Sequence, residues 1–450
     1  MKRAFAIAMA YFGVTVGAGF ASGQEMLQYY VAHGWWGILG AIVVLLIMPL
    51  TAMIALQYGS YFQASSHKRV FTSITSKIPA TFIDYAVTAT QFAVAFVMLS
   101  GAGANLHQQF GLPLWVGSTL MLILVLVFGM MDVDKVTNAI GAITPVVIIF
   151  MTLAAIAALT DPPEPFDGIQ EFATTHIDPA VPNWWLSTLN YIGLSMMGGV
   201  SMGVVIGGAN LDTKSAGRGG FLGGFLFGAI LLLLVVGMLF QVTELYDDAL
   251  PTLTLVNEIH PALGTIAALA TYLMIFSTAL GSFYALTRRL VPNNPKRFKP
   301  VFIVVVFIGY ALSFVDFATL VNTVFPALGY AGIVMIVVLI GTWFMRGRGI
   351  VNEESSRRDK IRNLIWRMLD PNEKFTTAHR AQLSREVFSS PLESTKLRSA
   401  MAEEVIDELD ADSSSDFDKD SFELDQQWVQ GRYDPTQAGE VRIVNESDPK

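Results

Sequence analysis

The 450-residue sequence contains no cysteine at all. Disulfides, thiolate metal sites and cysteine nucleophiles are therefore excluded, although the absence fixes no compartment. Charge is scarce as well: Lys, Arg, Asp and Glu make up 15% of the chain against 53% hydrophobic residues, far from a soluble composition. Histidine occurs six times, at 33, 67, 107, 176, 260 and 379, with no HExxH motif and no closely spaced partners. No P-loop is present. The glycine-rich "GAGFASG" (Gly17–Gly23) is not a dinucleotide fingerprint, because its third glycine comes one residue late and no strand precedes it. Nothing assembles a nucleophile with a base. The expectation is a protein that is not an enzyme, with no cofactor and no nucleic-acid partner.

What is present in excess is long apolar runs. About 20 residues are needed to cross a bilayer as a helix, and ten stretches qualify. They lie near 4–30, 35–59, 81–104, 112–131, 136–159, 184–208, 218–241, 262–286, 300–316 and 319–345. Lys2 and Arg3 ahead of the first run resemble the start of a signal peptide. The polar "SGQE" and the length of the run argue instead for an uncleaved first span.

Orientation follows from lysine and arginine. With the N-terminus inside, the cytoplasmic loops hold Lys68, Arg69, Lys77, Lys135, Lys214, Arg218, Arg288, Arg289, Lys296, Arg297 and Lys299, and the outer loops hold none. The longest outer loop, 160–182, carries Asp161, Glu164, Asp167, Glu171 and Asp178 without one basic residue. Both termini are therefore expected in the cytoplasm of a cell whose inner membrane the chain spans, with lipids as neighbours.

The net charge of −8 is unevenly spread. Residues 1–350 hold 15 basic and 15 acidic side chains, and residues 351–450 hold 14 and 22, so the imbalance belongs to the tail. In "RRDKIRNLIWRMLD" (Arg357–Asp370), Ile361, Leu364, Ile365 and Met368 fall at helical spacing with basic flanks. Such a helix suits the anionic inner leaflet as well as water. Residues 400–450 are rich in Asp, Glu and Ser and are expected to be disordered.

The stretch "GVTVGAGFASGQE" (Gly13–Glu25) is the anomaly of the first span. Gly13-xxx-Gly17 and Gly19-xxx-Gly23 are small-xxx-small patterns that let helices approach. Yet the span runs about 27 residues, roughly 40 Å at 1.5 Å per residue, and its glycines cluster centrally with Thr15. A second such place is "LNYIGLSMMGGVSMGVVIGG" (Leu189–Gly208), where Gly193, Ser195, Gly198, Gly199, Ser201 and Gly203 interrupt the sixth run. Spans one and six each open one half of a five-plus-five arrangement, and five being odd, the halves enter from opposite sides. Paired glycine-interrupted helices at such matching places point to a transporter's midplane site. Broken backbone at that depth needs a protected cavity. Breaks are thus expected within about three residues of Gly17 and of Gly198.

These residues also carry a resemblance. "FGVTVGAGFASGQE" resembles the YkvI-like family of bacterial membrane proteins, regarded as amino acid permeases. That family is similar to the amino acid–polyamine–organocation superfamily with the LeuT-type inverted-repeat fold. The resemblance covers roughly 1–345 and implies an all-α membrane protein of ten helices in a 5+5 inverted repeat, helices 1 and 6 broken. "GVTVGAGF" (Gly13–Phe20) is similar to the first-helix "GNAVGLGN" of sodium symporters of this fold. The match implies Gly13 and Val16 carbonyls on the sodium ion commonly called Na2. "MIFSTALGS" in the eighth span would add the Met274 carbonyl and the Ser277 and Thr278 hydroxyls. The final Asn of the family motif, which serves a second sodium, is Phe20 here, so one sodium ion is implied.

At a broken first helix, Gly17 and the amides of Gly19, Phe20 and Ala21 would face a substrate carboxylate. In the sixth span Ser195 resembles a binding serine of the family, Gly198 marks the expected break, and Tyr191, Met196 and Met197 are candidates to shape the pocket. Glu25 is the carboxylate placed well inside the outer half of a span. A membrane-buried acid is costly and hence a functional candidate, for proton coupling, for pairing with a substrate amine or for gating. The favoured function is secondary transport of a small amino-acid-like solute, coupled to Na⁺ in preference to H⁺. The alternative is a non-transporting sensor or scaffold that works through its acidic tail. Deleting residues 351–450 separates the two. Uptake survives the deletion in a transporter, whereas in a sensor every measurable activity disappears with the tail.

Overall fold

The computed structural model describes residues 2–130, 149–156, 159, 168–291, 295–370, 372–411, 417, 432–433 and 443–444. They are almost entirely helical, apart from a two-residue antiparallel pair, Arg432–Tyr433 with Ile443–Val444. Among the described residues six helices are long and apolar enough to span a bilayer. These are α4 (Trp35–Phe62), α6 (Lys77–Phe110), α9 (Trp184–Gly208), α10 (Thr213–Phe240), α13 (Pro261–Leu290) and α15, whose Phe317–Thr342 runs on through a π turn into α16 (Arg348–Leu369). Two further expected spans are shorter helices, α7 (Leu114–Gly129) and α14 (Pro295–Leu312). The fifth expected span, 136–159, lies outside the described residues except for 149–156 and 159.

The first span is broken where its glycines predict. α1 (Lys2–Thr15) stops at Val16. Gly17 is extended (φ −84°, ψ 171°), and α2 (Ala18–Ser22) starts after it. A second joint follows at Gly23, whose φ of +83° is left-handed and open to glycine at no steric cost. α3 (Gln24–Tyr29) then leads out.

The sixth span corrects the expectation. α9 is helical without interruption from Trp184 to Gly208, straight through Gly198. Its glycines serve close packing instead. A Cβ added at Gly193 would overlap the Gly329 carbonyl, and one at Gly207 would overlap that of Leu56. One at Gly199 would lie 3.0 Å from the Thr15 hydroxyl and one at Gly203 3.0 Å from the Tyr11 ring. In lipid, association rests on such backbone proximity rather than on hydrophobic burial. The same holds along α10, where a Cβ at Gly220 or Gly224 would come within 2.7 Å of the Ala52 or Met48 carbonyl oxygen of α4. Helices α1, α4, α9 and α10 thus form one tightly packed group, while α6 packs on α7 and α13, with α14 alongside them.

The tail also departs from expectation. Residues expected to hold one amphipathic helix and disordered chain from 400 onward instead form three helices, α16, α17 (Thr377–Phe388) and α18 (Ser394–Ala411). They share a core of Ile361, Leu364, Ile365, Leu383, Val387, Leu397, Met401 and Val405, joined by Leu211 from the membrane domain. Ile361 and Ile365 therefore face protein, not lipid. Beyond 411 the expected acidic segment lies almost wholly outside the described residues.

One arginine anchors this unit. Arg358 is 3% exposed and pairs with the equally buried Glu354 at 2.9 Å. Its remaining donors reach the Ser60, Tyr61 and Leu211 carbonyls, each at 2.9 Å. Ser60 and Tyr61 end α4, where carbonyls lack intrahelical donors. Arg3 of α1 binds Glu404 of α18 at 2.7 Å, and Lys214 of α10 binds Asp359 of α16 at 2.6 Å. Removing one partner of a buried ion pair costs on the order of 3–5 kcal/mol. Arg358→Ala is therefore expected to undock the tail, seen as trypsin cleavage within 348–411 at a protease ratio that leaves the wild type intact. Unchanged resistance would show that Arg358 does not hold the tail in place.

Candidate functional site

The break in the first span creates two sets of unpaired backbone groups. Val16 N–H still donates to the Phe12 carbonyl at 2.8 Å, but the helix ends there, so the carbonyls from Gly13 to Val16 have no following helical amide. On the other side the first-turn amides of α2 at Ala18, Gly19 and Phe20 have no intrahelical acceptor. Ala21 differs from the sequence expectation: its N–H donates to the Gly17 carbonyl at 3.1 Å and is already engaged. Its carbonyl accepts a short hydrogen bond from Thr252.

Glu25 folds back onto this outer half-helix. A Cβ added at Gly19 would overlap the Glu25 carboxylate, so the absence of a side chain at Gly19 makes room for that acid. Tyr191 of α9 donates its hydroxyl to Glu25 Oε2 at 2.9 Å. Around this bond stand rings from four elements, α2, α3, α9 and α10. Tyr29 and Tyr30 each lie 5.3 Å from the Tyr191 ring, Phe227 lies 6.5 Å from Tyr191, and Phe20 packs on Phe227 at 4.7 Å. All five rings are at most 1% exposed, and Glu25 is 9% exposed. Tyr29 is fixed further by Asn190, 3.4 Å from its hydroxyl, and Asn190 in turn donates to the Pro326 carbonyl at 2.9 Å.

The other expected site residues fall in two groups. Gly17 and Gly198 face open space, with nothing within 4 Å of an added Cβ, and Ser195 is half-buried with its hydroxyl turned back to the Tyr191 carbonyl at 2.9 Å. Met196 and Met197 are fully buried, and Met196 sulfur accepts from the Tyr11 hydroxyl at 3.6 Å. On α13, Ser277 donates to the Met274 carbonyl at 3.0 Å, so these two expected sodium ligands satisfy each other. Among the described residues Thr278 forms no side-chain hydrogen bond. Freed main-chain carbonyls such as those of Gly13 and Val16, and hydroxyls such as that of Thr278, are oxygen donors of the kind a hard cation takes.

A second polar cluster, at the helix ends beside α5, was not anticipated as a unit. His67, at the start of the short helix α5 (His67–Ile74), places Nδ1 2.8 Å from the Ser201 hydroxyl of α9. Its Nε2 lies 3.3 Å from Asp84 of α6, which pairs with Arg289 of α13. Burial, reinforced by the Arg289 guanidinium, pushes the His67 imidazole down to about 4, so it is uncharged at neutral pH. The cluster ties α9 to α6 and α13 through one ring. No sequence spacing signals it, because its members stand on four separate elements. By contrast, the polar trio Gln24, Glu25 and Gln28, at i, i+1 and i+4, was readable as one face of a turn.

No family model matches the chain. Two proteins of Bacillus subtilis (strain 168) are similar to it over most of their length. YkvI, described as an uncharacterized membrane protein, is 24% identical over 334 residues, which is 74% of this chain and 94% of YkvI. YyaD, described as an uncharacterized protein, is 23% identical over 335 residues, 73% of this chain and 93% of its own. Among solved structures, the inward-facing conformation of Mhp1 aligns with a TM-score of 0.50 at 14% identity, covering 76% of each chain. A closed conformation of Mhp1 with bromovinylhydantoin bound, described as a nucleobase-cation-symport-1 family transporter, aligns at 0.47 and 16% identity over 89% of this chain and 96% of that one. The chain is thus a multi-pass helical membrane protein whose fold is like that of Mhp1, of the LeuT type.

The contact between Gly19 and Glu25 is directly testable. Gly19→Val forces the carboxylate aside and is expected to destabilise by about 1–3 kcal/mol, the usual range for overpacking. Adding Glu25→Ala vacates the space, so the double variant should melt above Gly19→Val alone. Strictly additive losses in this cycle would show that the two positions do not touch.

Proposed function

We propose that this chain is a secondary transporter that carries a small amino-acid-like solute across the bacterial inner membrane by alternating access, both termini being cytoplasmic. The observation that carries the proposal is the break at Val16–Gly17. A membrane helix that stops and restarts within the bilayer leaves carbonyls on one side and amides on the other, and such groups persist only where something bound or a water-lined cavity satisfies them. The fold's likeness to Mhp1 is consistent with ten spans in a 5+5 inverted repeat; the expected fifth, 136–159, lies mostly outside the described residues. In this scheme only the first helix of the pair is broken, and the sixth acts as the continuous wall against which it works.

The solute would contact the break at Gly17, Gly19 and Phe20 and the facing α9 residues Tyr191, Ser195 and Gly198. The two short segments α2 and α3, jointed at Gly17 and Gly23, supply a mobile outer half that can close over it. The His67 cluster, which ties α9 to α6 and α13, would hold the cytoplasmic side shut, and its release would accompany inward opening.

For coupling, one sodium ion is proposed at the inner end of the break, held by the Gly13 and Val16 carbonyls and by Thr278 across from them. Ser277, which donates to the Met274 carbonyl, keeps its oxygen lone pairs and the carbonyl keeps one, so both would remain open to the ion. When bound, the ion would supply a positive charge that holds the two halves of the first helix in register with α13. Protein reconstituted into vesicles tests this with radiolabelled amino acids at clamped pH. A sodium gradient is expected to drive uptake in the wild type and not in Thr278→Val. Uptake that ignores sodium, follows a proton gradient and is lost in Glu25→Gln would reject sodium and give the coupling to Glu25.

A further inference from the structure

We infer that Glu25 and the tyrosines around it form the site for a cationic amine, so that the transported solute is recognised by its ammonium group. The inference rests on the transporter function proposed above and adds the chemical class of what is bound.

Three observations converge. The first is charge. Glu25 is a buried carboxylate whose partner is a neutral phenol, Tyr191. The ion pairs around Arg3, Asp84, Asp359, Glu354, Glu386, Glu393 and Glu408 leave Glu25 out. A carboxyl group held away from water is costly in its charged form unless a bound cation or a proton neutralises it, and no protein cation does so here. No lysine or arginine occurs between residues 4 and 67, and none between 136 and 213. The segments α2, α3 and α9 around Glu25 therefore bring no cation of their own.

The second is the surplus of acceptors. Gln24 Oε1, Gln28 Oε1 and the Tyr30 hydroxyl are buried and without a hydrogen-bond partner among the described residues. Gln24 and Gln28 flank Glu25 on α3, and the Tyr29 and Tyr30 hydroxyls lie within electrostatic reach of its carboxylate. Buried polar atoms are as a rule satisfied. An ammonium brings three donors and accepts nothing, which is what such a set lacks.

The third is the aromatic lining. Tyr29, Tyr30 and Tyr191 present three rings around the one acid, backed by Phe20 and Phe227. Ring faces attract cations by about 0.5–2 kcal/mol each, most strongly when desolvated. They offer nothing comparable to a carboxylate. In the conformation seen here the enclosure is closed and Tyr191 occupies the acid. The joints at Gly17 and Gly23 are where the outer half-helix swings to admit the amine, with Tyr191 yielding its hydrogen bond to it.

The test uses the purified full-length protein and thermal shift. The twenty common amino acids are screened first. The best stabiliser is then compared with its decarboxylated amine and with the carboxylic acid that lacks the amino group. The amine is expected to stabilise and to compete with the parent amino acid, while the deaminated acid does neither. Glu25→Gln should weaken amine binding by about ten- to a hundredfold, the loss of one charge-assisted hydrogen bond. Tyr191→Phe should keep a measurable part of the affinity, because its ring remains. A deaminated acid that competes as well as the parent would overturn the ammonium site and leave the transporter function standing. Stabilisation by sodium chloride alone, lost in Glu25→Gln and indifferent to amines, would overturn it in favour of a bare cation. If no amino acid and no amine binds, the ammonium site and the proposed solute class fall together.

Discussion

A peptide group that leaves its helix inside a bilayer has no water to turn to, and the Val16–Gly17 joint imposes that constraint on everything near it. The freed carbonyls and amides, each worth several kcal/mol if left bare, must be enclosed by other helices. That requirement accounts for the way α9 runs unbroken alongside, with Thr15 set against Gly199 and Tyr11 against Gly203 and Met196. It accounts as well for the side-chain bonds of Ser22 to the Gly19 carbonyl at 2.8 Å and of Thr252 to that of Ala21. Polar residues gather in the outer half of the first span because its backbone is exposed there to whatever the fold can bring.

Glycine plays two parts in this chain, and the sequence does not tell them apart. At Gly17 and Gly23 it opens the backbone. At Gly193, Gly207, Gly220 and Gly224 it removes a side chain so that two helices touch. The first span was legible because its glycines sit among hydroxyls, an amide and an acid, over a length greater than a membrane requires. The sixth shows a similar density of small residues, yet Gly193 meets α15, Gly199 and Gly203 meet α1, and Gly207 meets α4. Which neighbour each one meets is a property of tertiary packing. Without it, a helix that must be approached on three sides reads like a helix that must break.

Long apolar runs locate membrane helices well, since their length is set by the bilayer and not by the partner. The tail shows the converse. Leu397, Met401, Val405 and Leu409 of α18 follow a helical period and are buried together. They are interleaved with acidic residues whose overall composition resembles disordered chain. Periodicity was the better guide there than composition. The docking of this unit through Arg358 was not readable at all, because its acceptors are main-chain carbonyls of residues 60, 61 and 211, and any residue supplies those.

The arrangement of charge ties these pieces together. Arg358, Arg3 and Lys214 fasten the tail to α1, α4 and α10, the tightly packed group to which the broken helix belongs, and the described contacts of the tail favour that group over α6 and α13. The His67 cluster crosses from that group to the other one. If the two groups move against each other during transport, the tail rides with one of them, and the neutral imidazole is a crossing that can part without exposing an unpaired charge on the α9 side. Glu25 lies away from both clusters, at the level of the outer half-helix, as an acid without a protein cation. The His67 cluster and the tail are thus held by charges that satisfy one another, and the region of the break carries one acid that has no such partner. An asymmetry of that kind is what the proposed transport of a cationic solute would use, with the grip at Glu25 and the parting contacts at His67.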